Sequence, residues 1–254
     1  MLIRIKQLVR INMKNNKEVY RHEQKYLISK KDQYLIRQRL RELMILDKHV
    51  RENSYTIRSL YFDDYWNSAY EDKQAGVLKR KKYRIRIYNF SADIIKLERK
   101  RKHGAYIYKE DAPLTQEEFY KILDGDYTFL LHSPYQLCQE FYVECIANAM
   151  KPRTIVDYER EPWTLNAGTV RVTFDENVRA AIGSFDIFDA NLPALEVLEP
   201  DKLVMEVKYT EFYPEIIKEI IPSDAMEYTA VSKYVLCYDK SNYNRSFNDY
   251  WYDH

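Results

Sequence analysis

The sequence predicts a single α+β domain dominated by an antiparallel sheet. Three observations carry that reading. Short runs in which apolar and charged residues alternate recur between residues 21 and 209, which is the period of a half-buried strand. Five further stretches pair a helix-start signal with apolar residues at three- and four-residue spacing. Across 254 residues there is no internal repeat and no linker, with only 5 Gly and 8 Pro to punctuate the chain.

The elements follow in order. Arg21–Ile28 alternates in type and reads as a strand. Ser29, with Asp32 three residues on, opens a helix expected to run to Leu46, with Ile36, Leu40, Leu43 and Met44 on one face. Tyr55–Phe62 is a strand ended by Asp63 and Asp64, and 65–75 reads as loop or turn. Val77–Phe90 is a long strand, Asp93–Arg101 another, and Ala105–Asp111 a short one. Thr115-Gln-Glu-Glu118 is a capping box for a helix stopped by Gly125. Ser133-Pro134 opens a helix to about Met150. Strands are expected at Thr154–Arg160, Val170–Asp175 and Leu203–Tyr209, with weaker ones near Arg179 and Leu195–Val197. Pro214 starts a helix ending near Ile221, and Ser223 caps the last helix, to about Asp239. Residues 1–17 are expected to be an N-terminal extension, in which Met13 is an alternative start. Residues 18–240 form the domain and 241–254 a loose Tyr- and Asn-rich tail.

Composition excludes several functions. No apolar run approaches the ~20 residues that span a bilayer. The N-terminus lacks the apolar stretch of a signal peptide. Cys138, Cys145 and Cys237 have no metal-ligand spacing and read as reduced core thiols of a cytoplasmic protein. The five His form no zinc motif, and neither a P-loop nor a dinucleotide fingerprint is present. His22 and His103, near the basic strands, read as incidental. The 24 Tyr read mainly as strand formers that pack core and rim.

Net charge is only +1, but it is segregated. Lys79 to Lys102 holds eleven basic residues against Asp93 and Glu98, whereas Asp111 to Met150 holds seven acids and one Lys. Such a field suits an anion. The strands add a pattern, because residues two apart share a face. Arg84, Arg86 and Tyr88 face together, as do Lys96, Glu98 and Lys100. Glu206 and Lys208 share a face, as do Tyr158 and Arg160, Arg171 and Thr173, and Arg21, Glu23 and Lys25. One reading is a sheet with an ordinary solvated face. The other closes the sheet around its basic face, making a charged tunnel that holds an anion among residues that would otherwise repel. The carboxylates inside, Glu23, Glu98 and Glu206, are then candidate ligands for a hard divalent cation.

At these residues the sequence resembles the VTC (vacuolar transporter chaperone) polyphosphate polymerase domain of the CYTH-like triphosphate tunnel superfamily. The matching stretches are YRHEQKYLIS (20–29), SLYFDD (59–64) with Tyr70 after it, and GVLKRKKYRIRIY (76–88). IKLERKRKHG (95–104), KPRTIVDYERE (151–161), VRVTFDENVRA (170–180), VMEVKY (204–209) and VSKY (231–234) follow in order. The resemblance implies a closed antiparallel β-barrel tunnel with flanking helices, and ATP-dependent synthesis of inorganic polyphosphate with release of ADP. It implies a divalent metal, Mn²⁺ or Mg²⁺. The family's tunnel residues carry over onto Lys25, Arg84, Arg86, Lys96, Arg160 and Lys233 as catalytic groups. Tyr158 and Arg171 carry over as substrate contacts, joined by Arg58, Lys100 and Lys208. The metal carboxylate is Glu206, with Glu23 and Glu98 beside it. Partners are therefore ATP and polyphosphate, with no nucleic acid, no membrane span in this sequence and room for a membrane partner.

The wider superfamily carries ExExK on its first strand. Here Arg21 stands where the first Glu would be, in Arg21-His22-Glu23-Gln24-Lys25. One metal ligand is lost and a cation able to hold phosphate stands in its place, which disfavours a two-metal hydrolase. No SPX domain is present, so regulation through one and transport of product are expected to lie outside this sequence. A triphosphatase on the same tunnel, a non-catalytic polyphosphate-binding module and a nucleic-acid binder using residues 79–102 are the competing readings.

Overall fold

The computed structural model describes residues 21–47, 50, 53–165, 169–210, 212–221, 227–228 and 231–252; the N-terminal extension and Ser223 lie outside them. The strands are β1 (His22–Ser29), β2 (Ile45–Leu46), β3 (Tyr55–Asp63), β4 (Lys79–Tyr88), β5 (Ser91–His103), β6 (Tyr106–Leu114), β7 (Lys151–Leu165), β8 (Val170–Ala181), β9 (Ala194–Glu196), β10 (Lys202–Tyr209) and β11 (Glu227–Tyr228). The helices are α1 (Lys30–Arg41), α2 (Ser68–Gln74), α3 (Gln116–Leu123), α4 (Thr128–Leu131), α5 (Gln136–Ala147), α6 (Glu215–Ile220) and α7 (Lys233–Tyr252).

All strands belong to one antiparallel sheet in the order β11-β1-β10-β8-β7-β3-β4-β5-β6, with β2 on β7 and β9 on β8. The sheet is an open path rather than a barrel closed by a ladder. One isolated antiparallel bridge, Arg21 to Ile107, ties the start of β1 to β6, with N···O distances of 3.0 and 3.1 Å.

The period-two pattern decides which face each residue takes. The outer face carries two apolar clusters. Tyr83, Ile85 and Ile87 of β4 and Leu97 of β5 pack under Phe119, Ile122, Phe141 and Cys145 of α3 and α5. Val172, Phe174, Met205 and Val207 of β8 and β10 pack under Ile36 and Leu40 of α1 and Ile217 and Ile220 of α6. A third cluster lies on the inner face, where Ile57, Tyr61, Val156, Tyr158 and Ala180 receive Tyr234, Val235 and Cys237 of α7. Tyr61 and Tyr234 stack with ring centroids 5.0 Å apart. The start of α7 therefore fills part of the space the sheet encloses. All three Cys are buried free thiols.

Local structure departs from expectation where tertiary contacts compete. The helix opened by the Ser29 capping box ends at Arg41 instead of Leu46, because Ile45 and Leu46 pair with Thr164 and Trp163 of β7. The stretch expected as loop contains α2. Its start is capped from the preceding strand, where Asp63 accepts from the backbone N–H groups of Ala69 (2.9 Å) and Tyr70 (3.0 Å). Spacing within the helix does not signal such a cap. Residues 170–181 form one strand, covering what reads as two. The last helix begins at Lys233 and runs through Tyr252, so the expected loose tail is helical to that point.

Candidate functional site

The inner face surrounds a cavity of about 370 Å³. Fourteen basic side chains line it, against two carboxylates, Glu23 and Glu206. Each strand contributes alternate residues: Arg21, Glu23 and Lys25 from β1 and its start, Arg80, Lys82, Arg84, Arg86 and Tyr88 from β4, and Lys100 and Lys102 from β5. Tyr158 and Arg160 come from β7, Arg171 from β8, Glu206 and Lys208 from β10, and Lys233 from α7.

Two ion networks organise the wall. Glu206, 5% exposed, is met by Lys208 (2.7 Å), Lys233 (3.1 Å), Lys25 (3.3 Å) and Arg160 (3.4 Å). Behind it Asp175 takes both arms of Arg160, Nε at 2.6 Å and Nη2 at 2.7 Å, and the Lys233 ammonium at 2.6 Å. The Tyr158 ring lies 5.2 Å from the Arg160 guanidinium and 5.0 Å from the Lys233 ammonium. The second network centres on Glu98, just behind the lining. Arg84 reaches it at 2.7 Å, Lys109 at 2.6 Å and Arg86 at 3.8 Å. Arg84 also donates to the Tyr61 hydroxyl (2.7 Å), and Arg86 to the hydroxyls of Ser59 and Tyr158, both 3.1 Å. Glu23 links the two sides of the cavity, with Lys100 at 2.8 Å and Lys25 at 3.4 Å.

Burial and charge pull these groups in opposite directions. Burial alone would raise the pKa of Glu206, but Lys208, Lys233, Lys25 and Arg160 hold it well below the carboxylate range. Glu23 and Glu98 are lowered against burial in the same way, by Lys100 and Lys25 and by Arg84 and Arg86. The lysines divide. Burial opposes charge on Lys25 and Lys233, yet their carboxylate partners raise both above an ordinary lysine. Burial brings Lys100 down to about 8 despite Glu23, and burial with four cationic neighbours takes Lys82 well below its usual range. These cations are held in a space where positive charge is not fully compensated, the condition in which an entering anion gains most.

Of the residues singled out in the sequence, Lys25, Arg84, Arg86, Arg160, Lys233, Lys100, Tyr158, Arg171, Lys208, Glu206 and Glu23 line the cavity, and Glu98 anchors two of them. Two do not. Arg58, 1% exposed, points to the outer face, where it makes a two-armed pair with Asp157 (2.8 and 2.7 Å) and lies 4.5 Å from the Phe90 ring. It is held by the fold and is not placed to reach a phosphate. Lys96 shares a face with Glu98 but sits too far along β5, where it pairs with Asp111 at 3.2 Å outside the lining. Sequence reasoning missed Lys82, Lys109 and Tyr61 as individual wall residues. Lys82 and Tyr61 follow from strand parity, whereas Lys109 needs the β5–β6 register, which sets it opposite Lys100.

Among the described residues, no group of three or more His, Cys, Asp or Glu side chains could hold a metal by itself. Glu206 and Glu23 both contact the Lys25 ammonium. That donor set fits a hard divalent ion taking one or two carboxylates and completing its shell with phosphate oxygens and water, and does not fit a closed protein cage.

The fold and cavity define a sheet-rich α+β protein with a strongly basic cavity suited to a highly charged anion. Residues 20–242 match the model of the VTC domain, and the chain belongs to that family. Family and cavity together support a polyphosphate- or triphosphate-binding site. No curated protein sequence matches the chain. Among solved structures, a protein of Pyrococcus horikoshii aligns at TM-score 0.46 with 12% identity, covering 87% of this chain and 99% of its own. A proposed adenylate cyclase of Vibrio parahaemolyticus aligns at 0.45 with 9% identity, 87% and 99% covered. One of Bacillus halodurans aligns at 0.42 with 16% identity, 76% and 81% covered. Among the described residues no helix is long and apolar enough to cross a membrane.

Proposed function

We propose that this protein is an ATP-dependent polyphosphate polymerase of the cytoplasm, transferring the γ-phosphoryl group of ATP to a growing inorganic polyphosphate chain. The observation that carries the reading is the convergence of fourteen cations on one cavity within a VTC-family domain. The Arg21–Ile107 bridge and the Lys100–Glu23 contact support reading the walls as a tunnel.

Phosphoryl transfer asks the protein mainly for positioning and charge stabilisation. Arg84 and Arg86, fixed by Glu98, Ser59, Tyr61 and Tyr158, present guanidinium arms to phosphate oxygens. Lys25, Lys208, Lys233 and Arg160 gather on the Glu206 side. Glu206, with Glu23 beside it, would hold Mn²⁺ or Mg²⁺; bound there, such an ion neutralises charge on the transferring and leaving phosphates. A terminal oxygen of the polymer forms the new bond to the γ-phosphorus as the bond to the β–γ bridging oxygen breaks. The electron pair leaves with ADP, and the polymer grows by one unit. The attacking oxygen is already anionic, so no general base is needed.

The test is incubation with ATP and Mn²⁺, beside a Glu206→Gln variant, with polymer resolved on a gel and ADP and phosphate quantified. Polymer and ADP formed by the native protein and lost in the variant support the reading. Phosphate without polymer moves the assignment to a triphosphatase, and no product with tight polyphosphate binding to a non-catalytic module.

A further inference from the structure

We propose that the end of the cavity formed by Lys73, Arg80, Lys82 and Lys102 is a second anion site, a collar that binds a distal segment of long-chain polyphosphate and so distinguishes long polymer from short. The inference rests on the polyphosphate reading of the same cavity.

The cations of this wall are of two kinds. Those around Glu206, Asp175 and Glu98 are held by carboxylates within ion-pair distance. Among the described residues, Lys73, Arg80, Lys82 and Lys102 form no ion pair, although all four line the cavity and are half-buried. Arg80 donates to the Val77 carbonyl, and Lys82 to the Ser232 hydroxyl at 3.0 Å with the Tyr234 ring 4.8 Å away. They lie close enough to act on each other. Burial lowers Lys82, and Lys25, Lys100, Arg80 and Lys73 lower it further; burial lowers Lys73, and Arg80, Lys25 and Lys102 add to it. Asp72 acts on Arg80 without pairing with it.

Half-buried like charges are costly unless an anion joins them. The four come from two hairpin strands and the helix before them, so the sheet register holds them together with or without a ligand. Arg80 lies four residues from Arg84 and six from Arg86 along β4, separations of ~13 and ~20 Å. A triphosphate gripped by Arg84 and Arg86 is too short to reach it. A longer polyphosphate passing Lys100 meets the collar first at Lys82, two residues from Arg84 on β4, and then at Arg80 and Lys102, all of them lining the same cavity. Three of the four are lysines, whose ammoniums bind phosphate as point charges and impose no single geometry on a chain that slides.

The test is equilibrium binding, with neither ATP nor metal, of tripolyphosphate and of long-chain polyphosphate to the full chain and to a Lys73→Ala/Arg80→Ala/Lys102→Ala variant. Long-chain affinity should fall at least about tenfold, and its salt slope by about 2, with tripolyphosphate affinity altered less than about threefold. The variant should melt at or above the native temperature, since like charges have been removed. Equal losses for both ligands, no loss for the long chain, or a lower melting temperature would overturn the collar. So would a single-stranded oligonucleotide binding as tightly as polyphosphate. Because nothing turns over, a protein that makes no polymer yet shows the length-dependent loss keeps the collar and loses the polymerase.

Discussion

The buried Tyr234 hydroxyl donates to Asp63 at 2.8 Å, one residue beyond the Lys233 ammonium that enters the Glu206 network. Asp63 lies in the SLYFDD stretch and Tyr234 in VSKY, far apart in sequence. The same carboxylate caps α2 through the N–H groups of Ala69 and Tyr70. One side chain therefore fixes both a helix that borders the cavity and the residue that puts Lys233 into it. Tyr234→Phe should destabilise by about 1.5–3 kcal/mol through the loss of one buried hydrogen bond to a carboxylate that the Ala69 and Tyr70 N–H groups still satisfy. With Asp63→Asn it should show a coupling energy of about 0.5–3 kcal/mol in a double-mutant cycle. Additive losses in denaturant unfolding would separate the two residues.

Glu206→Gln removes the carboxylate that four cations share. Breaking a buried pair from one side costs about 3–5 kcal/mol. An added polyanion supplies the missing charge, so tripolyphosphate should raise the variant's melting temperature more than the native protein's. Equal shifts would show that Glu206 is not the internal counter-ion of these cations.

Lys100 gives the binding a pH dependence. Burial brings its pKa down to about 8 in the free protein, so the ammonium is lost as pH rises through that value. Phosphate oxygens favour the charged form, and binding therefore raises the pKa and takes up a proton above about pH 8. Affinity for tripolyphosphate should fall between pH 7 and 9, and titration calorimetry in buffers of different ionisation enthalpy should register proton uptake at pH 8.5. A Lys100→Arg variant should take up fewer protons at that pH, with Lys82 supplying the remainder; unchanged uptake would remove Lys100 from the effect.

Arg58 and Lys96 should behave unlike the wall. Arg58→Ala strands Asp157 in the outer core, at a cost of about 3–5 kcal/mol read by denaturant unfolding. Lys96→Ala removes a half-exposed pair worth at most about 1 kcal/mol and should leave tripolyphosphate affinity within about twofold. A tenfold loss of affinity on Lys96→Ala would bring that residue back to the site.

Much of the wall was legible because a strand has only two faces. Arg84 and Arg86, and Glu206 and Lys208, alternate with apolar partners, while Tyr158 and Arg160 alternate with acids that pair with arginines on the other face, Asp157 with Arg58 and Glu159 with Arg179; each set faces the cavity. Arg58 could have been excluded by the same parity: Ile57, Ser59 and Tyr61 are the inward residues of β3, and Arg58 is out of phase with them. Lys96 has the right parity, and its misplacement is a matter of distance along the strand, which alternation does not encode. The cap of α2 and the early end of α1 were illegible for a different reason. Each depends on a partner brought in by the sheet, Asp63 in one case and β7 in the other.

The cavity holds fourteen of the chain's 40 basic side chains and two of its 39 acidic ones, which leaves 26 basic against 37 acidic everywhere else. Seen from beyond a Debye length, about 8–10 Å at ordinary ionic strength, the molecule is close to neutral and exerts little pull on a passing polyanion. Nearer in, the excess of acids outside the lining opposes a polyanion and the lining attracts it. If polyphosphate is the ligand, a chain outside the cavity would meet a net excess of acids, and neighbouring molecules would be bridged along its length less readily than uniformly basic proteins.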